Sequence, residues 1–367
     1  MTSRLTISID AMGGDNAPGI VIAGADLFLQ HYPEMHLLLF GDKDQLQPLL
    51  ATYPRVAAVS EVCHTSEMVS MEDKPGQVLR KGRQTSMWLA IDAVKQGRAQ
   101  AVVSAGNTGA LMALAKFQLR TLEGIDRPAI GTVWPKKQGQ CVVLDVGANV
   151  EASAKQLADF AILGWAFAGA VLNKSDPSVA LLNIGSEELK GPDTLREAAE
   201  ILRDDRLGLN FIGFVEGDDL TTGSADVVVT DGFTGNIALK TAEGTARLLA
   251  HYMRDAFTGS VISRLGAWLA TAAFNKLKVI MDPSRVNGGV FLGLNGIVVK
   301  SHGGADNTGF ASALDLAADL AGSEFSSKIS GSLVHLNAKL NQDQSADQVQ
   351  TSDDGENINT GMTAQRI

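Results

Sequence analysis

Two residues of this 367-residue chain have neighbours suited to acting on a charged reaction centre. Lys190 lies in IGSEELKGPD, just past the apolar run Val179–Asn183, and Asn236 ends the turn in ADVVVTDGFTGNIALK, residues 225–240. A lysine offers a phosphate a point charge, and an asparagine amide can donate to an oxyanion. Before Asn236, the residues Asp231, Gly232, Phe233, Thr234 and Gly235 separate a short β-branched strand, Val227 to Val229, from an alanine-rich helix expected to open at Asn236. Backbone N–H groups at such a strand-to-helix turn face outward at the positive end of a helix dipole, where an anion is favoured. Gly106, Asn107, Thr108 and Gly109 repeat that composition after Ala101–Ser104. Structural roles stand beside the chemical ones: Lys190 as a solvated helix-end cation and Asn236 as a helix N-cap.

Other chemistries are removed by what the chain lacks. It has no G-x-G-x-x-G after its first strand, no G-x-x-x-x-G-K-[ST] and no G-x-S-x-G elbow. Its six histidines have no metal-ligand spacing, so neither metal nor cofactor is expected. Cys63 and Cys141 each sit in an apolar run and are expected as reduced, packed thiols of a cytoplasmic protein. The remaining inventory suits a reaction in which the protein positions phosphate and steadies a developing oxyanion, while the substrate supplies the nucleophile.

The net charge of −10 argues against a general nucleic-acid binder. A local basic stretch, Lys74, Arg80, Lys81 and Arg83, reads either as solvated charge or as a contact for an acidic partner. MTSRLTISID runs into a strand without the apolar core of a signal peptide, and the thirteen uncharged residues from Phe160 to Leu172 suit a buried helix better than a membrane span.

These residues must be positioned by strands alternating with helices. Strands are expected at Leu5–Asp10, Met35–Phe40, Val56–Cys63, Ala101–Ser104, Cys141–Asp145, Val179–Asn183, Asn210–Val215 and Asp226–Thr230, with helices at Ile20–Leu29, Lys43–Leu50, Ser86–Gln96 and Phe310–Leu320. That alternation predicts βαβ crossovers and a mostly parallel sheet, with the glycine turns gathered along one edge at the strands' carboxyl ends. Residues 248–282 read as a helical hairpin, packed either on the body or a second subunit, or against a membrane surface. The polar tail, residues 336–367, is expected to be disordered.

The blocks IDAMGGDNAP, VSAGNTGALMA, DVGAN, LLNIGSEELKG, FVEGDD, VVVTDGFTGNIALK and GGVFLGLNGIVVKSHG, in this order, resemble the bacterial phosphate acyltransferases of glycerolipid synthesis, the acyl-carrier-protein:phosphate transacylases. The resemblance implies one Rossmann-like α/β/α domain over residues 1–335 with a protruding helical hairpin. It implies acyl transfer from acyl carrier protein to inorganic phosphate, giving acyl phosphate for a downstream glycerol-3-phosphate acyltransferase. It further implies a homodimer with peripheral contact to the inner face of the cell membrane. The family's catalytic lysine in NIG-x-E-x-x-KG falls on Lys190 and its asparagine in DGF-x-GN on Asn236. Its KP-x-x-x-LR block falls on Lys74 to Arg80; the two serines and methionine that usually close that region are Thr85, Ser86 and Met87 here, a departure of one methyl group. The rivals are a phosphotransacetylase-like enzyme using acyl-coenzyme A and a non-catalytic phosphometabolite-binding protein.

Overall fold

The computed structural model describes residues 5–223, 225–271 and 288–323. The expected tail, the first four residues and part of the hairpin, residues 272–282, lie outside them. Among the described residues eleven strands form one sheet: β1 (Thr6–Asp10), β2 (His36–Gly41), β3 (Ser60–His64), β4 (Ala101–Ser104), β5 (Ala129–Pro135), β6 (Gln140–Leu144), β7 (Ser178–Leu182), β8 (Asn210–Val215), β9 (Val227–Val229), β10 (Gly289–Leu292) and β11 (Ile297–Lys300). Their order is β3-β2-β1-β4-β11-β10-β5-β6-β9-β7-β8. β9 is apolar throughout and β4 apolar but for its last residue, Ser104, and both are buried at every residue, as required of strands covered by helices on both faces. Two apolar cores, one on each face, contain Phe28, Phe160, Phe167 and Phe310 on one side and Met87, Ile91, Trp134 and Phe291 on the other. The Rossmann-like α/β/α expectation is met, and the helix Ala154–Val171 is buried along most of its length, as its uncharged run predicts.

The sheet is mostly parallel, as expected, but its strand ends do not all lie along one edge. Seven of the ten strand pairings are parallel, but β11 with β10, β10 with β5, and β5 with β6 are antiparallel. Three reversals in succession make β6, β9, β7 and β8 run opposite to β1, β2, β3, β4 and β11. The carboxyl ends therefore form two groups, not one common edge. β5 is a strand the sequence pattern missed: AIGTVWP carries a glycine within it and ends on a proline, both weak strand signals.

Two smaller differences concern local chemistry. Val56–Val59 belongs to a short helix, Pro54–Val59, because Pro54 presets the backbone of its first turn; β3 begins only at Ser60. Cys63 on that edge strand is half-buried and only Cys141 is packed away, both as free thiols.

The first hairpin arm is the far end of one helix, Gly232–Thr258, and the second is Val261–Leu269, packed against it. Leu248, Leu249, Tyr252, Ile262, Leu265, Trp268 and Leu269 are exposed on this pair. No helix among the described residues is long and apolar enough to cross a membrane.

Candidate active site

Asn236 is positioned by interlock between two loops. The helix Gly232–Thr258 starts four residues earlier than expected because Asp231 is its N-cap: the carboxylate accepts from the Thr234 N–H at 2.9 Å and from the Thr234 hydroxyl at 2.8 Å. Asn236 is therefore an exposed residue of the first turns and not a cap. The facing loop, residues 145–149, wraps around the buried carboxyl of Asp145. Oδ1 accepts from the N–H groups of Ile130, Gly147 and Ala148, and Oδ2 from the backbone and side-chain N–H of Asn149, at 2.7–3.1 Å. Burial pushes this carboxyl above its ordinary pKa, and those hydrogen bonds pull in the opposite direction.

Glycines permit the two loops to touch. The Gly232 N–H donates to Asn149 O at 2.7 Å, and a Cβ on Gly232 would meet Asn149 and Asp145. One on Gly235 would strike the Asp145 carbonyl. Gly147, with φ of 137°, lies under the Asn236 side chain: a Cβ there would be 3.6 Å from the Asn236 Oδ1.

Lys190 comes from the next strand, since β7 pairs with β9 and both end at the same side. Its loop is closed by Asn183, whose amide donates to Lys190 O at 2.9 Å and whose Oδ1 accepts from the Ile184 N–H. Gly191, at φ of 82°, fits against that same amide. The lysine stem crosses Gly185 and its Nζ lies 2.8 Å from Glu187 Oε2. The hydrogen bond raises the Lys190 pKa and lowers that of Glu187, so both are charged at neutral pH. Both are solvent-exposed, and an exposed pair of this kind is weak enough for an incoming anion to compete with Glu187. Apolar side chains stand uncovered around the two candidates: Ile184 and Leu189 on the lysine loop, Phe233 and Ile237 beside Asn236.

The turn amides are less available than their composition suggests. The N–H groups of Gly232, Thr234 and Gly235 all bond to protein oxygens, leaving Phe233 among the turn's glycine-flanked amides. At the other turn, Gly106 donates to Ser104 Oγ at 3.0 Å, and Asn107 caps its helix through Ala110 while its amide holds the carbonyls of Met71 and Asp73. Thr108 and Gly109 occupy the first turn, with Gly109 against Pro75. This turn follows β4, five strand positions from β9, or roughly 24 Å along the sheet. Its evident work is to hold the basic segment, in which Arg80, Lys81 and Arg83 are exposed and the Arg83 guanidinium lies 6.0 Å from the Trp88 ring centroid. Thr85 is buried, and its hydroxyl caps the next helix by accepting from the Trp88 N–H and donates to Gly82 O.

A second polar centre forms where β1, β4 and β11 end. Asp10, buried with its pKa raised by desolvation, accepts from Ser86 Oγ at 2.6 Å and Ser104 Oγ at 2.7 Å. Lys300 donates to the carbonyls of Ala105 and Ser301, and burial lowers its pKa to about 8. Lys240, one turn past Asn236, lies close enough to lower the pKa of both Lys300 and His302. Asp10, Asp145, Asn149 and Lys300 escape a sequence search for sites; DVGAN and GIVVKSHG are visible only as glycine turns, and nothing local says which amides converge on a carboxylate.

The chain matches the family described as Fatty acid synthesis protein over residues 5–328. The phosphate acyltransferase of Parvibaculum lavamentivorans is 56% identical over 330 residues, 90% of this chain and 91% of that protein. That of Paramagnetospirillum magneticum is 53% identical over 87% of this chain and 91% of its own length. Among solved structures, a phosphotransacetylase from Streptococcus pyogenes covers 88% of this chain and 95% of its own with a TM-score of 0.60, and the EutD phosphotransacetylase from Staphylococcus aureus covers 87% and 94% with 0.58. At 19% and 17% identity these two bear on the fold alone. Identity above one half across nine-tenths of the chain, over the blocks that build the Lys190 and Asn236 loops, makes the protein an acyltransferase: it belongs to the phosphate acyltransferase family.

Proposed function

We propose that this enzyme transfers a fatty acyl group from the thioester of acyl carrier protein to inorganic phosphate, giving an acyl phosphate. The observation that carries the proposal is that the loops bearing Lys190 and Asn236 follow neighbouring parallel strands, β7 and β9, with the exposed apolar groups Ile184, Leu189, Phe233 and Ile237 on them. An anion-fixing cation, an amide donor and uncovered apolar surface suit a fatty thioester and a phosphate together.

Phosphate, drawn to Lys190 in exchange for Glu187, attacks the thioester carbonyl carbon through one oxygen. The carbonyl oxygen becomes an oxyanion to which the Asn236 amide donates. The intermediate collapses with cleavage of the C–S bond; the thiolate leaves and takes its proton from solvent. No acyl-enzyme forms. Asp231 to Gly235 hold Asn236 in place, and the Gly106–Gly109 turn holds the segment bearing Arg80, Lys81 and Arg83, which faces the acidic carrier protein. The apolar hairpin suits peripheral contact with a membrane, where a glycerol-3-phosphate acyltransferase would consume the product, and the working unit is a homodimer.

The test is an assay of phosphate-dependent thiol release and acyl hydroxamate trapping from a long-chain acyl carrier protein. Wild-type enzyme is expected to be active and Lys190→Ala and Asn236→Ala to be folded and slower by about 10²–10³. Near-full turnover in both variants would remove the assignment of the site. Faster turnover of acyl-coenzyme A than of the acyl carrier protein would replace the donor.

A further inference from the structure

With most turn amides engaged by protein oxygens, the charge that holds a phosphate group must come from side chains. One cation beside the Asn236 site is uncommitted. Arg127 is exposed, and among the described residues its guanidinium makes no hydrogen bond or ion pair. The loop that carries it is nevertheless held through its neighbours' carbonyls by three side chains. Lys116 Nζ donates to Asp126 O at 3.2 Å, Lys155 Nζ to Gly124 O at 2.8 Å and Asn149 Nδ2 to Pro128 O at 2.9 Å. None of these bonds uses the guanidinium.

Arg127 lines an open groove of about 590 Å³ together with Asn149, Glu151, Ser153 and Gln156. The groove wall is the loop around Asp145. Asn149 bonds the Asp145 carboxyl on one side, the Gly232 N–H through its carbonyl, and the arginine's own loop through its amide. Gly147, two residues away, lies under Asn236. Arginine presents a planar fork matched to phosphate oxygens, and a loop fixed in advance loses little freedom when a ligand engages it. Glu151 shares the groove without pairing with Arg127. Ala148, Val150 and Ala152 complete the lining, so the polar groups that can bond a ligand stand among apolar ones.

We propose that Arg127 and this groove form a phosphate-group seat of the active site, binding either free inorganic phosphate or the phosphodiester of the acyl donor's arm. The proposal rests on the acyl-transfer reading above. It is tested with Arg127→Ala and Arg127→Lys in three steady-state series: acyl-acyl carrier protein and acyl-coenzyme A as phosphopantetheine-bearing donors, and an acyl N-acetylcysteamine thioester, which carries no phosphate. A rise of about 10–100-fold in the KM for phosphate with all three donors supports the seat and identifies the nucleophile as its ligand. A rise in donor KM confined to the two phosphopantetheine donors supports the seat and identifies the donor arm. The lysine variant should recover part of the loss. Unchanged KM values throughout, with unchanged melting temperature, would overturn the proposal.

A measurement without turnover separates this from failure of the reaction assignment. Phosphate, or coenzyme A, should protect Arg127 of the wild-type protein from phenylglyoxal, read by peptide mass mapping. Absence of protection by both overturns the seat even if acyl phosphate is made; protection in a protein that makes none keeps the seat and sinks the reaction.

Discussion

Substituting Gly235 by alanine probes the proposed role of Asn236 without removing any group from it. The added Cβ would strike the Asp145 carbonyl oxygen, with the Asp145 carbonyl carbon and Thr230 Cγ2 each at 3.0 Å. Carbon and oxygen settle at about 3.3 Å or more, so the helix start must retreat by about 1 Å, because the Asp145 loop is held by five hydrogen bonds and cannot yield cheaply. Asn236 is the next residue and moves with it. A misplacement of about 1 Å costs about 10² in rate, or about 2.7 kcal/mol of barrier. The overpacking costs about 1–3 kcal/mol of stability, which leaves the protein folded at assay temperature. Thiol release from acyl carrier protein at saturating phosphate gives kcat, and a thermal melt checks the fold. If the loss comes through Asn236, Gly235→Ala combined with Asn236→Ala is no slower than Asn236→Ala alone. A Gly235→Ala enzyme within about threefold of wild type, or a double variant whose losses multiply, would refute the interlock.

Gly244 offers the opposite case within the same helix: a Cβ there has nothing within 4 Å, so Gly244→Ala should raise stability by about 0.5–1 kcal/mol in chemical denaturation and leave turnover unchanged. For Lys300, with a folded pKa of about 8 against an ordinary 10.5, the unfolded chain binds more protons between those values, so stability rises with pH across that window by up to about 1.4 kcal/mol per unit from this group. Lys300→Met should flatten that rise between pH 8 and 10, and an unaltered difference between the two pH values would show the ammonium is not desolvated. Reversing Arg80, Lys81 and Arg83 to glutamate should raise the KM for acyl carrier protein at low salt and leave that for a carrier-free thioester unchanged; equal values for wild type and variant would exclude that surface.

Periodicity and glycine placement revealed most of the strand-and-helix succession, because a run such as Val227–Val229 followed by Gly232 signals its structure locally. The two proposed catalytic residues were legible for the same reason: each lies within a few residues of a strand end. Strand direction was not. β4 meets β11, and β10 meets β5, through pairings between segments far apart in the chain, and no residue near Ala101 or Ala129 records its distant neighbour. The availability of an amide was equally hidden. Gly106 and Gly232 have the composition of an anion seat, yet their N–H groups are used by Ser104 and Asn149. Arg127 carried no signal because its distinction is the absence of a partner among the described residues, which only the surrounding loops establish.

The two glycine blocks that flank the site make sense only as a pair. DVGAN supplies the carboxyl of Asp145, which gathers five N–H groups and so folds residues 145–149 into a compact wall. DGFTGN supplies the helix start that lies against it, with Gly232 bonded to Asn149 and Gly235 pressed to Asp145. Neither block has a side chain that reaches the other's role: the acid of the first is buried and spent on its own loop, and the acid of the second, Asp231, is spent on its cap. What their contact leaves exposed is Asn236, on a helix whose next turn brings Lys240 toward Lys300. The position of that amide is therefore set by backbone contact across glycines, and a single methyl group at Gly235 should disturb it as effectively as a change in the amide itself.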